Sequence, residues 1–321
     1  MIGRADVLAA EERIRGYVRR TPLLEVVGPT GSPAWLKCEF LQHTGTFKAR
    51  GAFNRILSAE QAGELDPRIG VVAASGGNAG MANAYAAAVM GVPATVFVPE
   101  VTPAVKVERL HAYGATVHQI GEEYAEAYAA AIKFAGDRGA VFCHAYDQLE
   151  IAAGAGVMAE ELLTDQPGID TIALAVGGGG MLAGVLAAVA GRAHVVAAEP
   201  VNAPTLRAAL AAGEPVDVRV SGVAKDSLGA RRLGSIGFEI ARAAGSRLTS
   251  VLVSDEDIID ARSALWRDYR IAAEHGAAAA HAALTSAAYV PSPDERVATI
   301  VCGANTDPAT LAPAPVEDPH P

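Results

Sequence analysis

Apolar, β-branched runs alternate with alanine-rich stretches of helical period along most of this chain. AWLKCEF, IGVVAAS, ATVFVP, ATVHQI, AVFCHA, TIALAV, HVVAAEP, TSVLVS and VATIVCG read as strands. Between them AGMANAYAAAVMG, PAVKVERLHAYG, EEYAEAYAAAIKFAGDRG and SDEDIIDARSALWRDYR carry the helical period, and Ser254 followed by acids marks the start of the last. Near-continuous apolar strands separated by helices predict an α/β fold with parallel sheets covered on both faces. Nine strands are many for one mononucleotide-type sheet, so two α/β domains are expected. Ligands of such sheets bind beyond the carboxyl ends of strands, which makes the strand-to-loop junctions the places to search. The proline-rich end, APAPVEDPHP, reads as a frayed tail.

One segment points two ways. Thr171 to Gly191 is uncharged, long enough to cross a bilayer, and holds Gly180 and Gly184 at small-xxx-small spacing. Its four consecutive glycines would each cost a helix about 1 kcal/mol relative to alanine, so strand, glycine loop and helix is the better description.

Composition narrows the function classes. With 51% hydrophobic residues in 321 the chain has a sizeable core, and a net charge of -10 offers no basic face to nucleic acid. Cys38, Cys143 and Cys302 are far apart and form no metal or disulfide pattern, which fits a reducing cytoplasm; the first twenty residues hold no apolar signal-peptide core. The histidines show no metal spacing, and Trp35 and Trp266 are expected in the core.

Four junctions carry chemistry. In KCEFLQHTGTFKARGAFN, Lys48 sits where a helix begins, although lysine is scarce here and the dipole disfavours an ammonium by about 0.3–1 kcal/mol. The same field favours the neutral amine that Schiff-base chemistry needs; a solvated lysine on a capped helix is the plain alternative. In VVAASGGNAG, Ser75, Gly76, Gly77 and Asn78 link a strand to a helix and form a candidate carboxylate cradle, or an ordinary turn. In ALAVGGGGMLAG, Gly177, Gly178, Gly179 and Gly180 let the backbone wrap a phosphate. Gly178, Gly180 and Ala183, with Glu199 about 20 residues on, also match a dinucleotide fingerprint, which keeps a nicotinamide-dependent oxidoreductase open. In ATIVCGANTD, Cys302 ends a strand, either as an inert core thiol or as a ligand contact.

Taken together and in this order, the motifs resemble the fold type II pyridoxal-phosphate enzymes, the tryptophan synthase β-like fold. Within them the chain is most similar to the L-serine/L-threonine dehydratases of the mammalian serine-dehydratase kind. TGTFKARGA, the long segment from SGGNAG to GATV, VGGGGML, VAKDSLGARRLG and IVCGANTD carry that resemblance across nearly the whole chain. It implies a large cofactor-binding domain of residues 1–45 plus 150–321 and a small domain of 46–149 with the asparagine loop. It further implies that Lys48 holds pyridoxal 5'-phosphate as a Schiff base and moves the substrate's α-proton, with Phe47 and the loop around Ser227 on opposite ring faces. Asn78 is implied at the phenolic oxygen, Gly177 to Gly180 at the phosphate, Ser75 to Asn78 at the substrate carboxylate, and Cys302 at the pyridine nitrogen. A thiol there makes the ring a weaker electron sink, which suits elimination. CHAYDQLEIAAGAG is expected to contribute to the pocket wall around the β-carbon.

Departures matter as well. Gly76 stands where racemising relatives have a serine, and Thr205 where they have an acidic ligand to a divalent ion. Neither racemisation nor a magnesium site is therefore implied. A monovalent cation, K⁺, is implied at the carbonyls of Gly177, Ala203, Leu228 and Ala230 with the Glu199 side chain. The absence of a regulatory domain after NTDPATL implies no isoleucine feedback. The expected activity is dehydration and deamination of L-serine or L-threonine by a cytoplasmic homodimer. The alternatives are another β-hydroxy amino acid such as 3-hydroxyaspartate, a β-replacement enzyme, and a non-catalytic ligand-binding relative.

Overall fold

The computed structural model describes residues 1–28 and 31–311, so the proline-rich end lies outside the described residues. The chain opens with α1 (Arg4–Ile14), β1 (Leu23–Val27), β2 (Pro33–Lys37) and α2 (Lys48–Gln61). Next come β3 (Val71–Ala74), α3 (Asn78–Met90), β4 (Ala94–Val98), α4 (Ala104–Ala112), β5 (Thr116–Gln119), α5 (Tyr124–Arg138) and β6 (Val141–Phe142). It continues through α6 (Leu149–Asp165), β7 (Thr171–Ala175), α7 (Gly180–Val189), β8 (His194–Pro200), α8 (Thr205–Ala212), α9 (Ser235–Ala244) and β9 (Leu248–Val253). The last three are α10 (Asp255–Tyr269), α11 (His275–Thr285) and β10 (Val297–Ile300).

The strands form two sheets, in the order β1-β2-β10-β7-β8-β9 and β5-β4-β3-β6. Every pairing is parallel except β1 with β2 at the edge of the larger sheet. The central strands β3, β4, β7 and β10 are buried throughout, as their unbroken apolar runs require. All nine predicted strands are present, and β1 is added. Its LLEVV run is half exposed and interrupted by Glu25, so it lacks the signal of a buried strand.

The segment long enough for a membrane is β7, a glycine loop and α7, and among the described residues no helix is long and apolar enough to cross a bilayer. Gly184 instead lets α7 lie against α6. A Cβ there would stand 2.1 Å from the Ala152 carbonyl oxygen and 2.5 Å from the Gly156 nitrogen. Both contacts are backbone and cannot swing away. Gly184→Ala is therefore expected to destabilise the protein by about 1–3 kcal/mol through forced helix separation, read as a lower denaturant midpoint.

Under the start of α2 lies a buried charge cluster. Arg50 is fully buried and grips two carboxylates in forks, Glu39 with both bonds at 2.8 Å and Glu161 with both at 2.8 Å. Lys37 donates to Glu161 at 2.6 Å and to the Thr21 carbonyl at 2.8 Å. Two cations face two carboxylates, so the group is neutral as a whole. It joins the end of β2, the first turn of α2 and the middle of α6 at a single point.

Candidate active site

Lys48 is positioned by backbone pairing before any side chain is considered. The Phe47 N–H donates to the Cys302 carbonyl at 3.1 Å, and Thr46 forms an isolated bridge with Gly303. These bonds stitch the first turn of α2 to the end of β10. The Lys48 Nζ donates to the Ala145 carbonyl at 2.7 Å and lies 5.0 Å from the centre of the Phe47 ring. Burial lowers its pKa to about 8, against the opposing pull of Cys302 and Glu274. Burial is the largest cause of that shift. Lys37, Lys106 and Lys133 have carboxylate partners and Lys225 is exposed, so among the five lysines Lys48 alone is an ion-unpaired amine inside a cavity.

The glycine loop lines the same cavity, at the N-terminus of α7. The N–H groups of Gly178, Gly179 and Gly180 have no protein acceptor among the described residues. Side chains are excluded there on geometric grounds. A Cβ on Gly178 would meet the Tyr146 ring at 2.4 Å, one on Gly180 would meet the Tyr146 carbonyl oxygen at 2.6 Å, and Gly179 has φ +89°. Unpartnered N–H groups at a helix start make an anion cradle.

A second strand-to-helix turn, Ser75 to Asn78, opens α3 after β3. The Gly77 N–H donates to Ser75 Oγ at 3.3 Å, and Gly80 must be glycine because its Cβ would lie 1.9 Å from the Ser75 carbonyl oxygen. Gly76 and Gly77 face an outer cavity that shares Asn78, Ser227 and Glu274 with the inner one. Ser227 is fixed by the Gly276 N–H, which donates to its Oγ at 3.1 Å. Cys302 is 4% exposed, and burial pushes its thiol pKa up, so it stays protonated at the cavity floor.

The structure adds groups that the sequence did not single out. Asn78 donates its amide to both oxygens of Glu274, at 2.9 and 3.1 Å, and accepts from the Asn305 amide at 2.8 Å. Burial raises the Glu274 pKa to about 7. Glu274 precedes an alanine-rich helix, and Asn78 is 196 residues away. Tyr146, at the tip of the CHAYDQLE loop, completes the wall beside the glycines.

The set expected at a cation is arranged differently. Glu199, at the end of β8, accepts from the N–H groups of Leu206 at 2.6 Å and Arg207 at 2.9 Å and so caps α8. Thr205 Oγ1 lies 2.6 Å from the Gly177 carbonyl oxygen and 3.2 Å from Glu199. The Ala203 carbonyl accepts from the Thr205 N–H at 3.0 Å. Thr205 thus bridges the carbonyl and the carboxylate, and burial raises the Glu199 pKa to about 7. Leu228 packs on Gly177, while Ala230 lies two residues further along the same loop.

A half-buried lysine in one cavity with a loop of unpartnered backbone N–H groups, beyond the carboxyl ends of parallel strands, suits an aldehyde cofactor bearing a phosphate. The family described as pyridoxal-phosphate dependent enzymes matches residues 14–303, and the chain belongs to it. An L-threonine ammonia-lyase of Geobacter sulfurreducens is 34% identical over 309 residues, 94% of this chain and 75% of that protein. A beta-hydroxyaspartate dehydratase of Paracoccus denitrificans is 30% identical, covering 94% of this chain and 96% of its own. Among solved structures, maize serine racemase superposes with a TM-score of 0.88 at 30% identity, over 97% of this chain and 95% of that one. The expectation of fold type II is borne out. The family's cofactor fits these residues, since the unpartnered N–H groups suit its phosphate and Lys48 suits its aldehyde.

Proposed function

We propose that this chain is a pyridoxal-phosphate-dependent ammonia-lyase that dehydrates and deaminates L-serine and L-threonine, releasing pyruvate or 2-oxobutanoate and ammonia. One observation carries this: a half-buried lysine with a depressed pKa shares a cavity with the unpartnered N–H groups of Gly178, Gly179 and Gly180, and that cavity adjoins, through Asn78, Ser227 and Glu274, a second one lined by Gly76 and Gly77. Bound pyridoxal phosphate supplies an aldehyde that joins amines and a conjugated ring that draws electrons from the α-carbon. The unpartnered N–H groups of Gly178, Gly179 and Gly180 would hold its phosphate. Phe47, Ser227 and the neutral Cys302 thiol line the same cavity and would hold the ring.

Ser75, Gly76, Gly77 and Asn78 take the substrate carboxylate. Lys48, neutral at a pH near its own pKa, takes the α-proton at Nζ, with the Ala145 carbonyl aligning that nitrogen. Water leaves from the α- and β-carbons, and a later water releases ammonia, so the net change is amino acid to 2-oxo acid plus ammonia. Gly76 offers no hydroxyl for the second face of the α-carbon, which favours elimination over inversion. Glu199 and the Gly177 carbonyl already have partners in α8 and Thr205. K⁺ at Gly177, Glu199, Ala203, Leu228 and Ala230 therefore stays part of the proposal for the loaded enzyme with no step assigned to it. The same holds for the division at residues 46–149, the homodimer and the cytoplasmic location.

A second substrate class has one observation in its favour. Arg109 lines the outer cavity beside Gly76 and Gly77, where a further carboxylate would meet it, while Lys106 in the same wall is paired with Asp226 at 3.3 Å. This suits 3-hydroxyaspartate, the substrate type in the name of the Paracoccus relative. The test is to incubate the loaded enzyme with L-serine, L-threonine and 3-hydroxyaspartate, then measure 2-oxo acid, ammonia and the chirality of remaining serine. Oxo acid and ammonia in equal amounts with no D-serine is the expected result. D-serine without oxo acid, or thioether products with an added thiol and no oxo acid, would replace this proposal with racemisation or β-replacement.

A further inference from the structure

We infer that Asp147 is a positioning residue that clamps the loop 145–147 over the cofactor cavity by capping a helix far away in sequence, and so retains the cofactor and aligns Lys48. This rests on the proposal that pyridoxal phosphate binds at Lys48 and the glycine loop. The loop leaves β6 and turns tightly because His144 Nδ1 accepts from the N–H groups of Tyr146 at 3.1 Å and Asp147 at 2.8 Å. Its three tip residues then each do something different. The Ala145 carbonyl accepts from Lys48 Nζ at 2.7 Å. Tyr146 packs on Gly178 and Gly180 and donates its hydroxyl to the Arg232 carbonyl at 3.3 Å.

Asp147 holds the tip in place. Its Oδ2 accepts from the Ser235 N–H and Ser235 Oγ, both at 3.0 Å, and its Oδ1 accepts from the Ile236 N–H at 3.0 Å. These are first-turn donors of α9, whose own N-cap position is Gly234, a residue with no side chain to supply a cap. A carboxylate at that end also meets the positive pole of the helix. Gly234 is bare because the carboxylate fills its place; a Cβ would lie 2.6 Å from Asp147 Oδ1. The Gly234 N–H donates to the Gly178 carbonyl at 3.0 Å, and Gly237 packs on Gly179. One carboxylate therefore ties together the helix behind the phosphate cradle, the tyrosine in front of it and the carbonyl that orients Lys48. A cap that served α9 alone would need none of these contacts.

The experiment compares cofactor retention with stability. Loaded wild type, Asp147→Asn, Asp147→Ala and Ser235→Ala are dialysed against cofactor-free buffer and the loss of protein-bound pyridoxal phosphate is followed by absorbance. Ser254→Ala is the control, because Ser254 caps α10 away from the cavity by accepting from Asp257 N–H at 3.1 Å. The expected result is dissociation about tenfold faster in Asp147→Asn and about thirtyfold or more in Asp147→Ala, with a small change of the same sign in Ser235→Ala. Ser254→Ala should lower the unfolding midpoint without changing retention. Asp147→Asn preserves the side-chain shape, so the comparison stands even where the alanine variant fails to fold. If the Asp147 variants lose stability like Ser254→Ala but hold the cofactor like wild type, Asp147 is a structural cap and the inference is wrong. If wild type binds no pyridoxal phosphate, both the inference and the cofactor proposal beneath it fall.

Discussion

Lys48→Ala is expected to abolish turnover of L-serine and L-threonine, by more than about 10³-fold, while making the cofactor-free protein more stable at neutral pH. The first half follows from the loss of the one lysine amine that lines the inner cavity among the described residues. The second follows from linkage. The folded pKa of Lys48, about 8, lies below its ordinary 10.5, so between those values the unfolded chain binds more protons and stability rises with pH. Below pH 8 the half-buried ammonium carries its whole penalty, which the alanine variant lacks. The gain should shrink as pH climbs towards 10.5. Glu274 runs in the opposite sense: its folded pKa of about 7 lies above 4.5, so its contribution falls as pH rises through that window. Denaturant midpoints of wild type and variant at pH 7 and pH 10 check the effect. Equal midpoints at both values would mean that the amine is not buried as described.

Arg50→Met is the second large effect, and it concerns stability. Removing one partner from a buried ion network costs about 3–5 kcal/mol, because the remaining charges lose their compensation. Here the loss leaves two carboxylates, Glu39 and Glu161, facing Lys37 alone. Arg50→Lys keeps the charge but not the double fork and should recover only part of the difference. Acid sensitivity shows the same cluster from another side. Burial pushes the Glu161 carboxyl up, but Arg50 and Lys37 outweigh it and leave its pKa below the ordinary 4.5. Its stabilising share is thus present above that value and is lost as pH falls through the lower folded pKa. The shift in urea midpoint at neutral pH is the check, and a cost below about 1 kcal/mol would contradict the geometry. Activity should fall too, since Arg50 anchors the first turn of α2 two residues after Lys48.

What the sequence made legible was local. Buried parallel strands announce themselves as unbroken apolar runs, and the turns at Lys48, Asn78 and Gly177 to Gly180 stand out by residue type alone. What stayed hidden depends on pairs far apart in the chain. Glu274 meets Asn78 across 196 residues and Asp147 meets Ser235 across 88, and no period or spacing marks either end. Lys37 and Arg50 look like ordinary surface cations until the fold buries them. Trp35 is in the core as expected, but Trp266 is 36% exposed, with the Arg270 guanidinium 6.0 Å from its ring centre, because helical period alone does not say which face of α10 is covered. The edge strand β1 escaped for a related reason, since a half-exposed strand has no continuous apolar signature.

The most direct test of the central claim is to reduce the purified, pyridoxal-phosphate-loaded protein with borohydride, digest it and find the modified lysine by mass spectrometry. The protein has five lysines, so the assignment is unambiguous. One pyridoxyl group per chain, on Lys48, is expected, with a visible absorption band before reduction that changes when L-serine is added. A group on Lys37, Lys106, Lys133 or Lys225, or no modification and no band, would contradict it.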